Sequence, residues 1–392
     1  MSKKVKLTWI AVLLAIVFSC DQKNKTDNDI IGGNNTEKAT QDSVSFGPYV
    51  QNMTHRTAVV CWSTKVGEST FTLPDGSSVT VPEYEQHKMK MNRLLSNTTY
   101  SYNVLGGDGP EGAGSFTTFP DSIVPFNFAV LGDTRSRHDV HSQIVGGIMS
   151  KKPLLVVNTG DLVGDGNNIL DWESFFKVNR ELMRNTPYFP VLGNHEKDSE
   201  YYFDFFDLPG NERYYEFSIG DVLFIMLDSE GANYPTPDYI EDENLPHFWA
   251  NKLKPYFEAQ KKWVEHTLDL HKDAGFIFVF QHRPMYSIKQ SRLEDAEEQR
   301  KLWGDVFERN NVQVFFSGHD HHYHHAIKNG THYVTTAGGG AGLYEPDAPQ
   351  PQTVKFSKIE HFVYVEVRDD EAELHVVDIN GEEIDNIVVK KR

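Results

Sequence analysis

The sequence contains very little cysteine, with only Cys20 and Cys61 among 392 residues. Two cysteines cannot form the network of bridges that holds small secreted domains together, and they cannot supply a four-thiolate metal site. Basic residues are also scarce, because 38 lysines and arginines stand against 56 acidic residues, for a formal net charge of −18. A chain of this charge without a basic stripe is not expected to bind nucleic acid. No apolar run in it is long enough to span a membrane.

The first 20 residues are typical of an export signal. Three lysines within the first six residues form a basic start, and residues 7–18 form an apolar segment that is short for a membrane span. The letters VFSC at residues 17–20 resemble a bacterial lipobox, in which the cysteine carries lipid after cleavage. We therefore expect an exported protein, lipid-anchored to the bacterial cell envelope through Cys20, with the membrane as a partner. A plain secretory signal is the alternative.

The rest of the chain divides by its pattern into three parts. Residues 21–42 are polar and predict a disordered tether. Residues 43–119 show short alternating strands, a turn at Pro74-Asp75-Gly76 and no helical period, which predicts a small all-β sandwich. Residues 124–392 alternate strands with helices, which predicts an α/β domain. Helical spacing occurs at residues 140–149, 172–183, 259–270 and 296–307, and a β-hairpin pattern occurs at 214–228.

Five clusters of polar residues each follow a β-branched or aromatic run that predicts a buried strand. The runs occupy residues 126–131, 154–158, 189–192, 276–280 and 312–316. The clusters read GDTR at 132–135, GDLVG at 160–164, GNHE at 193–196, HRP at 282–284 and GHDH at 318–321. In an α/β sheet the ends of such strands meet at one edge, so these side chains are expected to converge there. Aspartate, asparagine and histidine without cysteine are ligands that suit Zn, Mn or Fe.

In this order the clusters resemble those of the calcineurin-like metallophosphoesterases, whose pattern is GDxH, GDxxxxG, GNH, a lone His and GHxH. The letters HRPMYS at 282–287 and GHDHHY at 318–323 are similar to the purple-acid-phosphatase-like branch of that family. The resemblance covers nearly all of the chain after residue 42. It implies a two-sheet α/β/β/α sandwich at residues 124–392, preceded by a fibronectin-III-like domain at residues 43–119.

The resemblance also implies a centre of two divalent or trivalent metal ions, which would be Fe, Zn or Mn. Asp161 would bridge the two ions. The other ligands would be Asp133 and His321 for the first ion, and Asn194, His282 and His319 for the second. These residue types suit the task, because the bridging carboxylate brings negative charge while the neutral amide and imidazoles fix geometry without overcharging the site.

Two positions depart from the family pattern. Arg135 stands where the family often has a histidine ligand, so the first ion has only three assigned protein ligands. Water, His138 or His141 would have to complete its coordination. Gly164 stands where the purple branch has a tyrosine, so the Fe(III) preference that gives that branch its colour is not carried over.

The last cluster continues into a run of histidines at residues 319–325. Only His319 and His321 match the family motif. His322 and His324 are expected to be exposed at the surface, although either could contact substrate. Asp320 is expected to orient a neighbouring residue rather than to bind metal.

The resemblance implies an exported phosphohydrolase that cleaves phosphate mono- or diesters by attack of a metal-bound hydroxide. His195 would act at the phosphate or protonate the leaving oxygen; the alternative is a histidine bonded to a neighbouring carboxylate. Arg135 would clamp the phosphate through its planar fork, and the alternative is a salt bridge under the site. The partner would then be a phosphate-ester small molecule. The competing hypothesis for the whole chain is a catalytically inactive surface binding protein that retains the phosphoesterase fold.

Overall fold

The computed structural model describes residues 44–72, 78–104, 112–231 and 254–392. The predicted leader (1–20), the predicted tether (21–42) and the predicted turn at 74–76 lie outside the described residues. Residues 42–392 form one compact unit, so the division into domains at residues 119 and 124 stays a prediction. None of the described helices has the length and apolar character needed to cross a membrane.

The N-terminal part of this unit consists of strands, as predicted. They are β1 (Val44–Gln51), β2 (Thr57–Thr72), β3 (Ser78–Asn92), β4 (Thr99–Asn103) and β5 (Ala113–Thr117). β1, β2 and β3 form an antiparallel sheet, and β4 and β5 form an antiparallel pair. This region packs directly on the rest of the fold, because the Phe46 ring lies 5.4 Å from the Phe176 ring and the Tyr49 hydroxyl donates to the Phe205 carbonyl.

A six-stranded sheet has the order β18-β17-β16-β6-β7-β8. Its strands are β6 (Phe126–Leu131), β7 (Leu155–Asn158), β8 (Tyr188–Pro190), β16 (His361–Val367), β17 (Glu371–Asp378) and β18 (Glu383–Lys390). β6, β7 and β8 are parallel neighbours, and all of β7 and β8 is buried. The carboxyl ends of these three strands therefore meet at one edge of the sheet.

A seven-stranded sheet has the order β15-β13-β14-β12-β11-β10-β9. Its strands are β9 (Tyr215–Ile219), β10 (Val222–Met226), β11 (Phe276–Phe280), β12 (Val314–Ser317), β13 (Tyr323–Lys328), β14 (Thr331–Thr336) and β15 (Thr353–Ser357). The hairpin predicted at 214–228 is formed by β9 and β10. β10, β11 and β12 run parallel, so their carboxyl ends also share an edge.

The two sheets face each other across a core of aromatic rings. Phe128 of β6 lies 5.1 Å from Phe224 of β10 and 5.3 Å from Phe278 of β11, measured between ring centroids. Alternate residues of β10 and β11, such as Ile225 and Ile277, point away from this core into a second one that contains helix residues. Since successive side chains of a strand point to opposite faces, each sheet has one face on its partner and one on helices.

Five described helices cover the sheets. They are α1 (His138–Lys151), α2 (Ile169–Asn185), α3 (Glu200–Phe205), α4 (Lys254–Leu270) and α5 (Leu293–Arg309). α1, α2, α4 and α5 contain the four segments predicted from helical spacing, each extended by a few residues. The Asn168 side chain caps α2 by accepting from the Leu170 amide. The predicted α/β/β/α sandwich with a preceding all-β region is confirmed.

Candidate metal centre

The polar clusters predicted from the sequence meet at the seam between the two sheets. Asp133, Asp161 and Asn194 follow β6, β7 and β8 of the six-stranded sheet. His282, His319 and His321 follow β11 and β12 of the seven-stranded sheet. Asp133, Asp161 and His282 are buried, and each offers a ligand atom within 4.8 Å of those of the other two. Both sheets therefore contribute side chains to one centre.

Left-handed backbone turns direct several of these side chains inward. Asp133, Asp161 and His319 have φ values of 55°, 56° and 70°, a region that non-glycine residues rarely occupy. The glycines of the clusters make room for these turns. A Cβ atom on Gly193 would lie 2.4 Å from the Asp161 amide nitrogen, and one on Gly318 would lie 2.6 Å from Asp133 Oδ2. Gly193 and Gly318, which precede Asn194 and His319, are therefore required by close packing at the seam.

Asp133 and His321 form one side of the centre. Asp133 Oδ2 accepts a hydrogen bond from the His319 amide, while its buried Oδ1 has no hydrogen-bond partner in the described part of the chain and lies 3.3 Å from His321 Nε2. His321 Nδ1 lies 2.7 Å from the Gly342 carbonyl oxygen, which can only accept, so Nδ1 carries a proton and donates it. In the tautomer with its proton on Nδ1 alone, the ring presents the lone pair of Nε2 to the unpartnered carboxylate oxygen, an arrangement that a cation between them would satisfy.

His282 lies at the middle of the other side. Its Nδ1 donates to the Thr159 carbonyl over 2.9 Å, which leaves Nε2 to face the centre. Three further acceptor-bearing groups surround Nε2: Asp161 Oδ1 at 3.3 Å, Asn194 Oδ1 at 3.2 Å and His319 Nδ1 at 3.1 Å. These four nitrogen and oxygen atoms, including His282 Nε2 itself, lie too close together for the few available protons to form hydrogen bonds between all of them. The donor set fits a cation of the Zn, Mn or Fe type, for which imidazole and carboxylate are common ligands.

Neighbouring charges at the centre shift the pKa values of Asp161 and His282 in opposite directions. Burial raises the pKa of the Asp161 carboxyl, but His282, His195 and Arg135 outweigh it and hold that pKa below its usual value. Burial lowers the pKa of His282, but the carboxylates of Asp161 and Asp133 reverse the effect and raise it. Without a metal ion the centre therefore favours holding a proton on His282 in place of a cation, and metal binding would release that proton.

His195 and Arg135 border the centre on its more accessible side. The His195 side chain is 27% exposed; its Nδ1 donates to the Gly164 carbonyl, and its Nε2 lies 3.9 Å from Asp161 Oδ2. The Arg135 side chain is 20% exposed, and its Nε lies 3.3 Å from Asp161 Oδ2. Its Nη2 lies 3.4 Å from His321 Nε2. Arg135 thus occupies the corner between a presumed bridging ligand and a presumed ligand of the first ion.

Glu196 is a buried carboxylate beside the centre for which the sequence analysis predicted no role. It is fully buried, and its carboxylate accepts hydrogen bonds from the amides of Asp161, Leu162 and Gly193. It therefore ties the turn that carries Asp161 to the turn that carries Asn194. Burial, followed by the Asp161 charge, raises the pKa of Glu196 to about 8. The only sequence signal was an acidic residue at the end of a cluster otherwise made of ligands.

The remaining predicted candidates lie elsewhere. His138 is exposed, and His141 is buried between helices with its Nε2 3.3 Å from Asn179 Nδ2, so the structure brings neither histidine to the centre. The expectation that His322 and His324 are surface residues is wrong, because both are buried.

Strand β15 explains this burial, since its Phe356 ring lies edge-on to His322, 5.3 Å between centroids, and His324 bonds Thr353. Asp320 accepts from the Ser287 hydroxyl and pairs with Arg292.

Comparison with known proteins agrees with this geometry. The profile of the calcineurin-like phosphoesterase family matches residues 126–323. The chain is 27% identical over 267 residues to purple acid phosphatase 21 of Arabidopsis thaliana, covering 65% of this chain and 58% of the relative. It is 26% identical over 242 residues to purple acid phosphatase 22 of the same plant, covering 60% and 52%. The chain therefore spans little more than half the length of the curated relatives it matches.

The fold is also similar to that of a solved protein. The structure of purple acid phosphatase PPD1 from yellow lupin superposes with a TM-score of 0.66 at 16% identity, over 89% of this chain and 74% of that one. At this identity the likeness concerns the fold alone. The matched profile, which extends from β6 to the histidines after β12, and the common fold together establish that the chain belongs to the calcineurin-like phosphoesterase family.

Proposed function

We propose that this protein is a metal-dependent phosphohydrolase that uses two ions to cleave phosphate mono- or diesters. The observation that carries the proposal is the convergence, at one seam, of two carboxylates, one amide oxygen and three imidazoles with too few protons to satisfy one another. Family membership supports the same function. The names of the curated relatives, which are purple acid phosphatases, favour phosphate esters as the substrate class.

Six residues of the centre would bind the two ions. Asp161 would lie between the two ions, with Asp133 and His321 on one and Asn194, His282 and His319 on the other. When bound, such ions supply Lewis acidity and lower the pKa of coordinated water towards neutrality. Glu196 would hold the Asp161 and Asn194 turns at a fixed separation through its backbone hydrogen bonds.

His195 and Arg135 would act on the substrate. Because His195 Nδ1 is committed to the Gly164 carbonyl, only Nε2 is free to donate a proton to the leaving oxygen. Arg135 keeps its Nη1 group free of hydrogen-bond partners among the described residues, so it can bind a phosphate oxygen while Nε stays on Asp161. A guanidinium at this position would stabilise the negative charge that develops on the phosphoryl oxygens.

The competing function is an inactive binding protein, and one observation favours it. Arg135 Nε lies 3.3 Å from the carboxylate that would bridge the ions, and its Nη2 lies 3.4 Å from His321 Nε2. The positively charged Arg135 guanidinium therefore lies where the first ion would bind. Against this, Asp133 Oδ1 has no hydrogen-bond partner among the described residues, and a guanidinium that had replaced the ion would be expected to satisfy it.

We further propose that the protein is exported and anchored by lipid on Cys20, which rests on the sequence of the first 20 residues alone. In this location it would act on phosphate esters outside the cytoplasm.

The experiment that separates the two functions begins with the metal content of the purified full-length protein. Hydrolysis of a generic aryl phosphate is then measured before chelation, after chelation and after adding back Zn, Mn or Fe. Chelator-sensitive turnover that returns with added metal supports the enzyme, whereas metal-loaded protein without turnover of any ester would establish the binding protein.

A further inference from the structure

Three arginines surround the histidine ligands, and they differ in how far their donors are used. Arg283 is fully engaged, because it donates to both carboxylate oxygens of Glu230 and also to Asp295. Among the described residues, Arg292 pairs with one carboxylate, that of Asp320, with 3.4 Å between Nε and Oδ1. Across the described ranges, neither Nη group of Arg292 has a hydrogen-bond partner. A guanidinium with its outer donors unused is a ready site for an anion.

The position of Arg292 is fixed by its neighbours. Asp320 lies between the ligands His319 and His321 in the chain, and the Ser287 hydroxyl donates to its carboxylate. Arg292 therefore rests on a buried, oriented carboxylate next to the metal centre. Its own side chain is 22% exposed, so a ligand can reach it without disturbing the core.

Tyr344 connects Arg292 to the centre. Its ring stacks on His321 with 4.2 Å between centroids and 23° between planes, and its backbone amide donates to the His321 carbonyl. The Arg292 guanidinium carbon lies 5.7 Å from the centre of the Tyr344 ring. Arg135 contacts the Nε2 edge of the same His321 ring, 3.4 Å from Nη2. Two partly exposed guanidinium groups with unused donors thus lie beside the His321–Tyr344 stack, Arg135 at His321 and Arg292 at Tyr344.

We propose that Arg292 forms a second anion subsite beside the metal centre, separate from the Arg135 donor that would bind the reacting phosphate, and that the preferred substrates are phosphate esters carrying an additional phosphate or carboxylate group. This inference deepens the proposed function and rests on it for the identity of the reacting phosphate. The reason is electrostatic. Acidic residues outnumber basic ones in this chain, whose net charge is −18, so arginine donors left without a carboxylate partner indicate a site for an external anion. A planar guanidinium binds two oxygens of a phosphate or carboxylate at once.

The test compares binding of ligands with one and two anionic groups to metal-loaded, full-length protein. Ethylphosphonate is the single-anion probe; α,ω-diphosphonates and ω-phosphonocarboxylates of increasing chain length are the double-anion probes. Affinities are measured by calorimetry, with metal content checked after each titration. We expect the best double-anion probe to bind on the order of 10-fold more tightly than ethylphosphonate. Whether that probe is a diphosphonate or a phosphonocarboxylate identifies the second group.

The variant is Arg292→Gln, whose amide can still bond Asp320 but which lacks the charged fork. We expect it to lose the preference for two anions. Arg292→Lys, which keeps the charge, should retain part of it. The matched control is Arg309→Gln, which makes the same charge change in the last turn of α5, where Arg309 pairs with Glu265. Because the readout is a ratio of affinities, partial misfolding of a variant does not alter it.

An equal preference in Arg292→Gln and in the natural chain, or no preference in the natural chain, would overturn the subsite. If the proposed function itself is wrong, the result is different: the metal-loaded protein hydrolyses no phosphate ester. In that case the binding ratio still decides whether the subsite exists.

Discussion

Replacing His141 by glutamine should make the protein less sensitive to acid without changing its metal content. His141 is a residue of α1 that faces α2 and is fully buried. Its Nε2 lies near Asn179, and its Nδ1 has no hydrogen-bond partner within the residues that the structure describes. Burial, reinforced by the neighbouring His138, lowers the pKa of His141 to about 3. Folding therefore requires the neutral ring, whereas the unfolded chain takes up a proton near pH 6.5.

The magnitude follows from that difference. A histidine with a depressed folded pKa contributes stability that is complete above about pH 6.5 and is lost as the pH falls towards its folded pKa. At about pH 5 protonation stabilises the unfolded chain by about 2 kcal/mol at this residue, while folded His141 gains almost nothing. Between about pH 7.5 and pH 5, the natural protein should thus lose about 2 kcal/mol more of its free energy of unfolding than His141→Gln.

The assay is urea denaturation at the two pH values, with metal analysis of both proteins. His266→Gln, at an exposed position of α4, is the control and should leave the acid sensitivity of the natural chain unchanged. An unchanged pH dependence in His141→Gln would refute the argument from burial. Loss of metal in that variant would show that His141 reaches the centre after all.

Four further predictions concern the centre and the leader. Asp161→Asn should lose bound metal and turnover, measured by elemental analysis and aryl phosphate assay; near-normal activity would contradict the two-ion assignment. Metal-loaded protein should be nearly colourless, because Gly164 replaces a tyrosine; a strong visible band that bleaches on reduction would be the opposite result. Cys20→Ser should move the protein from the membrane fraction to the soluble one; retention at high salt would exclude the lipid anchor. His195→Ala should slow alkyl esters far more than aryl esters, which leave without a proton; equal losses would remove it as the acid.

The sequence was informative about the centre because each predicted ligand follows a parallel strand. A buried strand such as β7 is recognisable from its own residues, and topology brings its carboxyl end to the same edge as that of β6. Asp133 and Asp161 could therefore be placed together although they lie 28 positions apart in the chain. The helices could be predicted for the same reason, since their periodicity is local.

Features that depend on distant packing could not be predicted in this way. His322 belongs to a polar run that looks exposed, but a strand more than 30 residues later covers it. The contacts of Arg135 with Asp161 and His321 join three separate clusters, so no single motif indicates them. Glu196 has its role only because the two turns whose amides it binds lie side by side in the fold.

Because the centre lies at the seam, metal binding is thermodynamically linked to the packing of the two sheets on each other. An ion held by Asp161 and His282 would be a cross-link between the six-stranded and the seven-stranded sheet. Any ion that binds only the folded chain stabilises it by about 2.7 kcal/mol when present at about a hundred times its dissociation constant. Melting temperature as a function of added metal would therefore rank Zn, Mn and Fe by affinity, with no substrate needed. A cell that runs short of the preferred ion would lose folded protein as well as activity.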